Sequence, residues 1–201
     1  MNKLTKPPFY VISDTHWGHD NIIKYCDRPK YHEQLMIANW RRRIKNHATI
    51  LHLGDLMMGG DDYFDYFKQN VAPLLTGNKY IILGNHDKRK YDYESIGFTV
   101  IKPFTIEYRG HQISFDHYPK LFKDDQIKTL HVHGHIHNHA YSRGENRRWG
   151  NINVSVEAIN YKPRSIARLL NKEITRRSML LRTPGFNKQS WQQANIVNRA
   201  A

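Results

Sequence analysis

Only one cysteine, Cys26, stands in the 201 residues, which excludes an intramolecular disulfide and a zinc site built from thiolates. No run approaches the ~20 apolar residues that a membrane-spanning helix requires. The opening stretch Met1-Asn2-Lys3-Leu4-Thr5-Lys6-Pro7-Pro8 holds no apolar signal core, so a cytoplasmic, reducing setting is expected. Neither an internal repeat nor a low-complexity tract interrupts the chain. Acids are scarce as well: 18 Asp and Glu face 31 Lys and Arg, a formal net charge of +13. The excess is concentrated in residues 161–201, where nine basic side chains meet the single acid Glu173. A basic end behind a nearly balanced body suits an anionic partner such as nucleic acid; a solvated terminus accounts for it equally.

What is present points to a folded enzyme-sized unit. Hydrophobic residues make up 39% and aromatics 12%, enough to bury a core. The length suits one domain, expected over residues 1–170, with a basic helix and tail over 171–201. Thirteen histidines are left without a structural explanation.

The apolar run Phe9–Ser13 predicts a buried strand that ends in Asp14-Thr15-His16-Trp17-Gly18-His19. A helical period over 31–47, with Leu35, Ala38 (or Asn39), Trp40 and Ile44 recurring, precedes a second strand, Ala48–Leu53, ended by Gly54-Asp55. Asp61 is expected to cap a helix to about Leu75 through Phe64, Phe67, Val71 and Leu74. A third strand, Lys79–Leu83, ends in Gly84-Asn85-His86-Asp87. Beyond it a mostly antiparallel set is expected: a hairpin about Arg109-Gly110 ending in Asp116-His117, a strand Thr129–His133 ending in Gly134-His135-Ile136-His137, and a late strand Asn151–Val156. A last helix is expected from Ser165 to about Leu181, with Ile166, Leu169, Leu170 and Ile174 inward, broken by Pro184-Gly185. Five strands thus end in loops rich in Asp, Asn or His, and strand carboxyl ends are where open α/β sheets gather their ligands.

The strand-end set is Asp14, His16, Asp55, Asn85, His86, Asp87, His117, His135 and His137. Imidazole nitrogens mixed with carboxylate and amide oxygens suit Mn, Fe, Zn or Ni. Asp14 and His16, two apart on an extended segment, can point into one site, as can His135 and His137. So many ligands exceed what one such ion takes, which implies two ions with a carboxylate such as Asp55 bridging them. Taken singly, each residue has a plainer reading, since Asp and Asn after a strand are common turn formers.

Together, Asp14-x-His16, Gly54-Asp55, Gly84-Asn85-His86-Asp87, His117 and Gly134-His135-x-His137 resemble, in order, the signature blocks of the calcineurin-like metallophosphoesterases. The resemblance runs from about residue 9 to residue 160 and implies an α/β fold, a four-layer α/β/β/α sandwich of two mixed sheets. It implies that Asp14, His16 and His137 hold one metal, that Asn85, His117 and His135 hold a second, and that Asp55 bridges. It gives His86 the role of general acid and Asp87 that of orienting its ring. The activity it implies is hydrolysis of a phosphate ester by hydroxide formed between two divalent ions, manganese favoured.

Within the family, Gly54-Asp55-Leu56-Met57-Met58-Gly59-Gly60 and His86-Asp87 depart from the protein phosphatase pattern. A small phosphodiesterase acting on a nucleotide or similar diester is the expectation, with a phosphomonoesterase or a non-catalytic protein- or nucleic-acid-binding scaffold as alternatives. His133 is expected to be buried and hydrogen-bonded near His135, with His131 and His139 beside that block. Trp17 and His19 either line the cleft or pack the loop, and Arg28 and Asn21 are weaker candidates of the same kind. Arg41-Arg42-Arg43 reads as a solvated helix face.

Overall fold

The computed structural model describes residues 4–120, 128–138 and 150–184. Four short strands, β1 (Tyr10–Ile12), β2 (Thr49–His52), β3 (Asn78–Ile81) and β4 (Phe98–Val100), run parallel to their neighbours. A two-residue strand, β9 (Arg164–Ser165), pairs antiparallel with β1, giving the order β4-β3-β2-β1-β9. β2 is buried at every residue, as a strand in the middle of a covered parallel sheet must be.

The second sheet holds β5 (Phe104–Tyr108), β6 (His111–Phe115), β7 (Thr129–His133) and β8 (Asn151–Asn153), in chain order. Only β5 and β6 pair antiparallel, across a turn in which Arg109 and Gly110 both take positive φ, 51° and 70°. β6–β7 and β7–β8 are parallel, so the expected mostly antiparallel set is in fact a mixed sheet. Residues 116–128 separate β6 from β7, room for the crossover of about a dozen residues that parallel pairing needs. Phe9 meets Phe115 across the two sheets with ring centroids 5.7 Å apart, and Ser13 bridges to Ser155.

Helices α1 (Ile22–Cys26), α2 (His32–Arg43) and α3 (Gly60–Asn70) fall between strands of the first sheet, and α4 (Ile166–Arg182) follows β9. α2 buries Met36, Asn39 and Trp40 and leaves Arg41 and Arg42 exposed in its last turn, where cations suit the dipole. α4 lies on the second sheet: the Tyr108 hydroxyl donates to Asn171 at 3.1 Å, and Arg177 donates to the Thr129 carbonyl at 3.1 Å. It buries Ile166 and Leu170, with Leu169 and Ile174 packed on the core. The result is the expected α/β/β/α sandwich.

Several local expectations need correction. α1, β4 and β9 are too short to carry a period. α2 stops at Arg43, and the late strand stops at Asn153. Gly59, not Asp61, occupies the cap of α3; Asp61 instead reaches Lys90 and accepts from the Tyr91 hydroxyl at 2.9 Å. Leu74, expected inward, is exposed in a 3-10 turn that follows α3. His139 and the basic tail from residue 185 lie outside the described residues.

Candidate metal centre

The strand-end loops meet at one rim of the sandwich. Their backbone is unusual: Asp14, His16, Asp55, His135 and His137 all have φ between 45° and 72°. L-residues other than glycine seldom adopt that region, and such strain concentrates where side chains must be aimed. Hydrogen bonds fasten the first two loops to each other, Asp14 N to Gly54 O at 3.0 Å and His16 N to Asp55 O at 3.1 Å. Two glycines give the remaining loops room. A Cβ at Gly134 would meet Ser13 Oγ and Asp14 Oδ2, and one at Gly84 would meet Asp55 Oδ1.

The loops bring the predicted ligands into two clusters. In the first, one ligand atom each from Asp14, His16 and His137 lies within 4.8 Å of the others; Asp55, His117 and His135 form a second such group. Asn85 joins that second group, its Oδ1 2.9 Å from His117 Nε2 and 3.0 Å from His135 Nδ1. Asp55 stands between the two, with Oδ2 3.5 Å from His16 Nε2 and 3.4 Å from His117 Nε2.

The donor set fits divalent cations. His117 Nδ1 lies 2.7 Å from the Leu53 carbonyl, and His137 Nδ1 lies 3.0 Å from Glu157 Oε1. Both oxygens only accept, so each Nδ1 carries a proton, and Nε2, whose lone pair is free for an ion once the ring is neutral, faces inward. His137 Nε2 there faces His16 Nε2 at 3.2 Å and Asp14 Oδ1 at 3.8 Å. Lone pairs facing lone pairs at such distances need a proton or a metal ion between them.

With protons alone, burial pushes His117 and His137 down. The hydrogen bond and charge of Asp55, with Asp14, nevertheless lift His117 to about 9. Hydrogen bonds to Cys26 and Glu157, with the Asp14 charge, lift His137 to about 10. His16 goes the other way, to about 2, because burial outweighs the Asp55 charge. Burial raises Asp14. Burial also acts upward on Asp55, yet its bonds and charges with His117 and His16 hold that carboxyl below the usual range.

Behind the clusters lies a buried support that the sequence did not reveal. Glu157 Oε1, besides meeting His137, accepts from Arg28 Nε at 2.8 Å and lies 2.7 Å from its Nη2. The same guanidinium donates to the Asp14 and Thr15 carbonyls at 2.6 and 2.7 Å. Arg28 is therefore a buried brace, not a cleft residue. Glu157 lies four residues beyond the end of β8, too far for the strand-end pattern that flagged the others to include it. Asp87 spends its oxygens on main-chain amides, Oδ2 on Asp55 (2.7 Å) and Gly84 (2.8 Å) and Oδ1 on Leu56 (2.9 Å), which fixes the Asp55 turn rather than the His86 ring.

His86 itself is exposed at the rim, its ring centroid 5.4 Å from that of His16, and its backbone N–H donates to Asp55 Oδ1 at 2.9 Å. His133 is fully buried with Nδ1 2.8 Å from the Gly134 carbonyl, and His131 is buried beside it. Trp17 is core, packed on Phe67, whereas His19 stays at the rim, 5.7 Å from His16 between ring centroids. Asn21 is exposed at the cap of α1.

The sequence matches the family model for calcineurin-like phosphoesterases over residues 7–173. The chain belongs to that family. Among relatives of this phosphoesterase, the uncharacterized protein MJ1445 of Methanocaldococcus jannaschii is 35% identical over 168 residues, covering 78% of this chain and 86% of that protein. Among solved structures, the protein of unknown function AQ665 from Aquifex aeolicus aligns with a TM-score of 0.62 at 30% identity, over 82% of this chain and 98% of that one. The phosphoesterase thus shares its fold with that protein over about four fifths of its length.

Proposed function

We propose that this phosphoesterase is a two-metal phosphodiesterase acting on a nucleotide or another small phosphodiester. Asp14, His16 and His137 hold one ion, Asn85, His117 and His135 the other, and Asp55 bridges. The observation that carries the reading is the placement of Asp55 Oδ2 at 3.5 and 3.4 Å from one imidazole of each cluster. Two divalent ions, manganese favoured, supply Lewis-acid charge for the phosphate oxygens and lower the pKa of a water at the site. Leu53 and Glu157 keep His117 and His137 in the tautomer whose Nε2 faces inward. His86, outside both clusters and open to solvent, holds a proton for the departing oxygen. That favours a diester, whose alkoxide leaving group gains most from a general acid.

The basic excess over 171–201 favours an anionic substrate, and binding through it weakens with salt. No helix among the described residues is long and apolar enough to cross a membrane, and a cytoplasmic setting is part of the same proposal. The test is hydrolysis of bis-p-nitrophenyl phosphate beside p-nitrophenyl phosphate in Mn²⁺, Ni²⁺, Zn²⁺ and EDTA. Metal-dependent diester turnover is expected. A monoester preference makes the protein a phosphatase, and bound metal without turnover of either ester favours a scaffold or a substrate too specific for these dyes.

A further inference from the structure

A second cationic feature lies at the other end of β1. The last turn of α2, the edge strand β9 and the start of α4 enclose a cavity of about 500 Å³ lined by Tyr10, Arg42, Arg43, Arg164, Ser165 and Arg168. Tyr10 opens β1 and Asp14 follows its far end, so roughly 13 Å of extended chain separates the cavity from the metal centre.

Four arginines line it, and no acid does. Among the described residues no Asp or Glu forms an ion pair with any of them. Arg42 reaches only the amide oxygen of Asn39, at 3.3 Å, and the buried Nε of Arg43 has no hydrogen-bond partner among the described residues. The first turn of α4 brings no acid either. Converging like charges repel, and a multiply charged anion turns that repulsion into attraction. Guanidinium forks match phosphate oxygens two at a time, and the volume is that of a small-molecule site. Tyr10, half-buried in the wall, adds an aromatic surface.

We propose that this cavity binds a nucleotide-sized polyphosphate, either a nucleoside di- or triphosphate or a bare phosphate chain, at a site separate from the metal centre and independent of the reaction assigned to it. The full chain is titrated calorimetrically with sodium tripolyphosphate and with ATP, in manganese and again after dialysis has removed the metal. One equivalent is expected to bind after the metal is removed, because the arginines need no metal, and in manganese the same equivalent is expected beside any that the metal centre takes.

Arg164→Ala/Arg168→Ala is expected to weaken that binding about 10- to 100-fold, the scale of lost charge-assisted bonds. Arg41→Ala, on the same helix but outside the cavity, is expected to leave it unchanged. Circular dichroism and ester turnover check that the double variant is folded, and Arg42→Ala/Arg43→Ala repeats the test from the α2 side. ATP binding tighter than tripolyphosphate places the nucleoside on Tyr10; equal affinity makes the phosphate chain the whole ligand. The proposal is overturned if neither ligand binds, if binding survives both double variants, or if only a single-stranded oligonucleotide saturates the site.

Discussion

The two metal clusters share Asp55 but are held by different means. Behind Asp14, His16 and His137 stands a buried ion pair, with Arg28 pinning the Asp14–Thr15 carbonyls and Glu157 gripping His137. Behind His117, among the described residues, stands a main-chain carbonyl, that of Leu53, while His135 is partly buried and Asn85 is exposed. A carboxylate behind an imidazole orients the ring and raises its basicity; a carbonyl orients it without adding charge. With an ion in each, the first cluster would hold its ion behind the ion pair and the second would present one toward solvent.

Removing the shared group is the severest test of this comparison. Asp55→Asn is expected to lower diester turnover about 10³-fold or more, since several kcal/mol of charge stabilisation depend on the ions it joins. Metal analysis should show fewer than two ions per chain. A variant that keeps both ions and a tenth of its turnover takes Asp55 out of the bridge.

Next comes the group that belongs to neither cluster. His86→Ala should cost about 10²-fold with an alkyl diester and much less with a nitrophenolate leaving group, with metal content unchanged. An equal loss on both esters would rule out its acting as the acid.

Asymmetry itself is probed by Glu157→Gln, which keeps a hydrogen-bond acceptor for His137 but removes the charge. One ion should bind about 10- to 100-fold more weakly and the other as before. If both weaken together, the clusters do not differ as described.

The smallest effect lies in the pH dependence of the metal-free chain. Burial keeps His52 and His133 neutral down to about 3, and His131 down to about 4. Below their ordinary pKa the unfolded chain takes up protons that the fold refuses. The stability these residues give is thus complete above about pH 6.5 and lost as the pH falls toward 4. His117 and His137, raised to about 9 and about 10, have the opposite sign: their contribution is full below about pH 6.5 and fades as the pH rises through those values. Melting curves against pH should show both arms, and manganese should abolish only the alkaline one, because an ion replaces those protons.

The parts of this design legible in the sequence are those written in local pattern. Asp14-x-His16, Gly54-Asp55, Gly84-Asn85-His86-Asp87, His117 and Gly134-His135-x-His137 follow strands recognisable from short apolar runs, so the loops and the side chains that converge from them could be read together. Parallel pairing of β6 with β7 could not, because direction depends on a crossover rather than on either strand. Glu157 and Arg28 were missed as partners because 129 residues separate them and neither sits in a block. Asp87 lies in the expected strand-end loop, but its bonds are to the Asp55, Leu56 and Gly84 amides rather than to the His86 ring, because they depend on how two loops pack. Asp61 misled because a carboxylate before a helical period suits a cap and a first turn equally.

The left-handed backbone under Asp14, His16, Asp55, His135 and His137 has an evolutionary side. On backbone grounds alone glycine would relieve of the order of 1–3 kcal/mol at each of these positions. The bonds those side chains make, Asp14 with the His135 N–H, Asp55 with the His86 N–H and His137 with Glu157, offset that relief, so the centre is held by its own contacts against its own backbone. A screen for heat-resistant variants of this protein should hold those five codons fixed, since a glycine that relieves the backbone there also removes a side chain the clusters are built from.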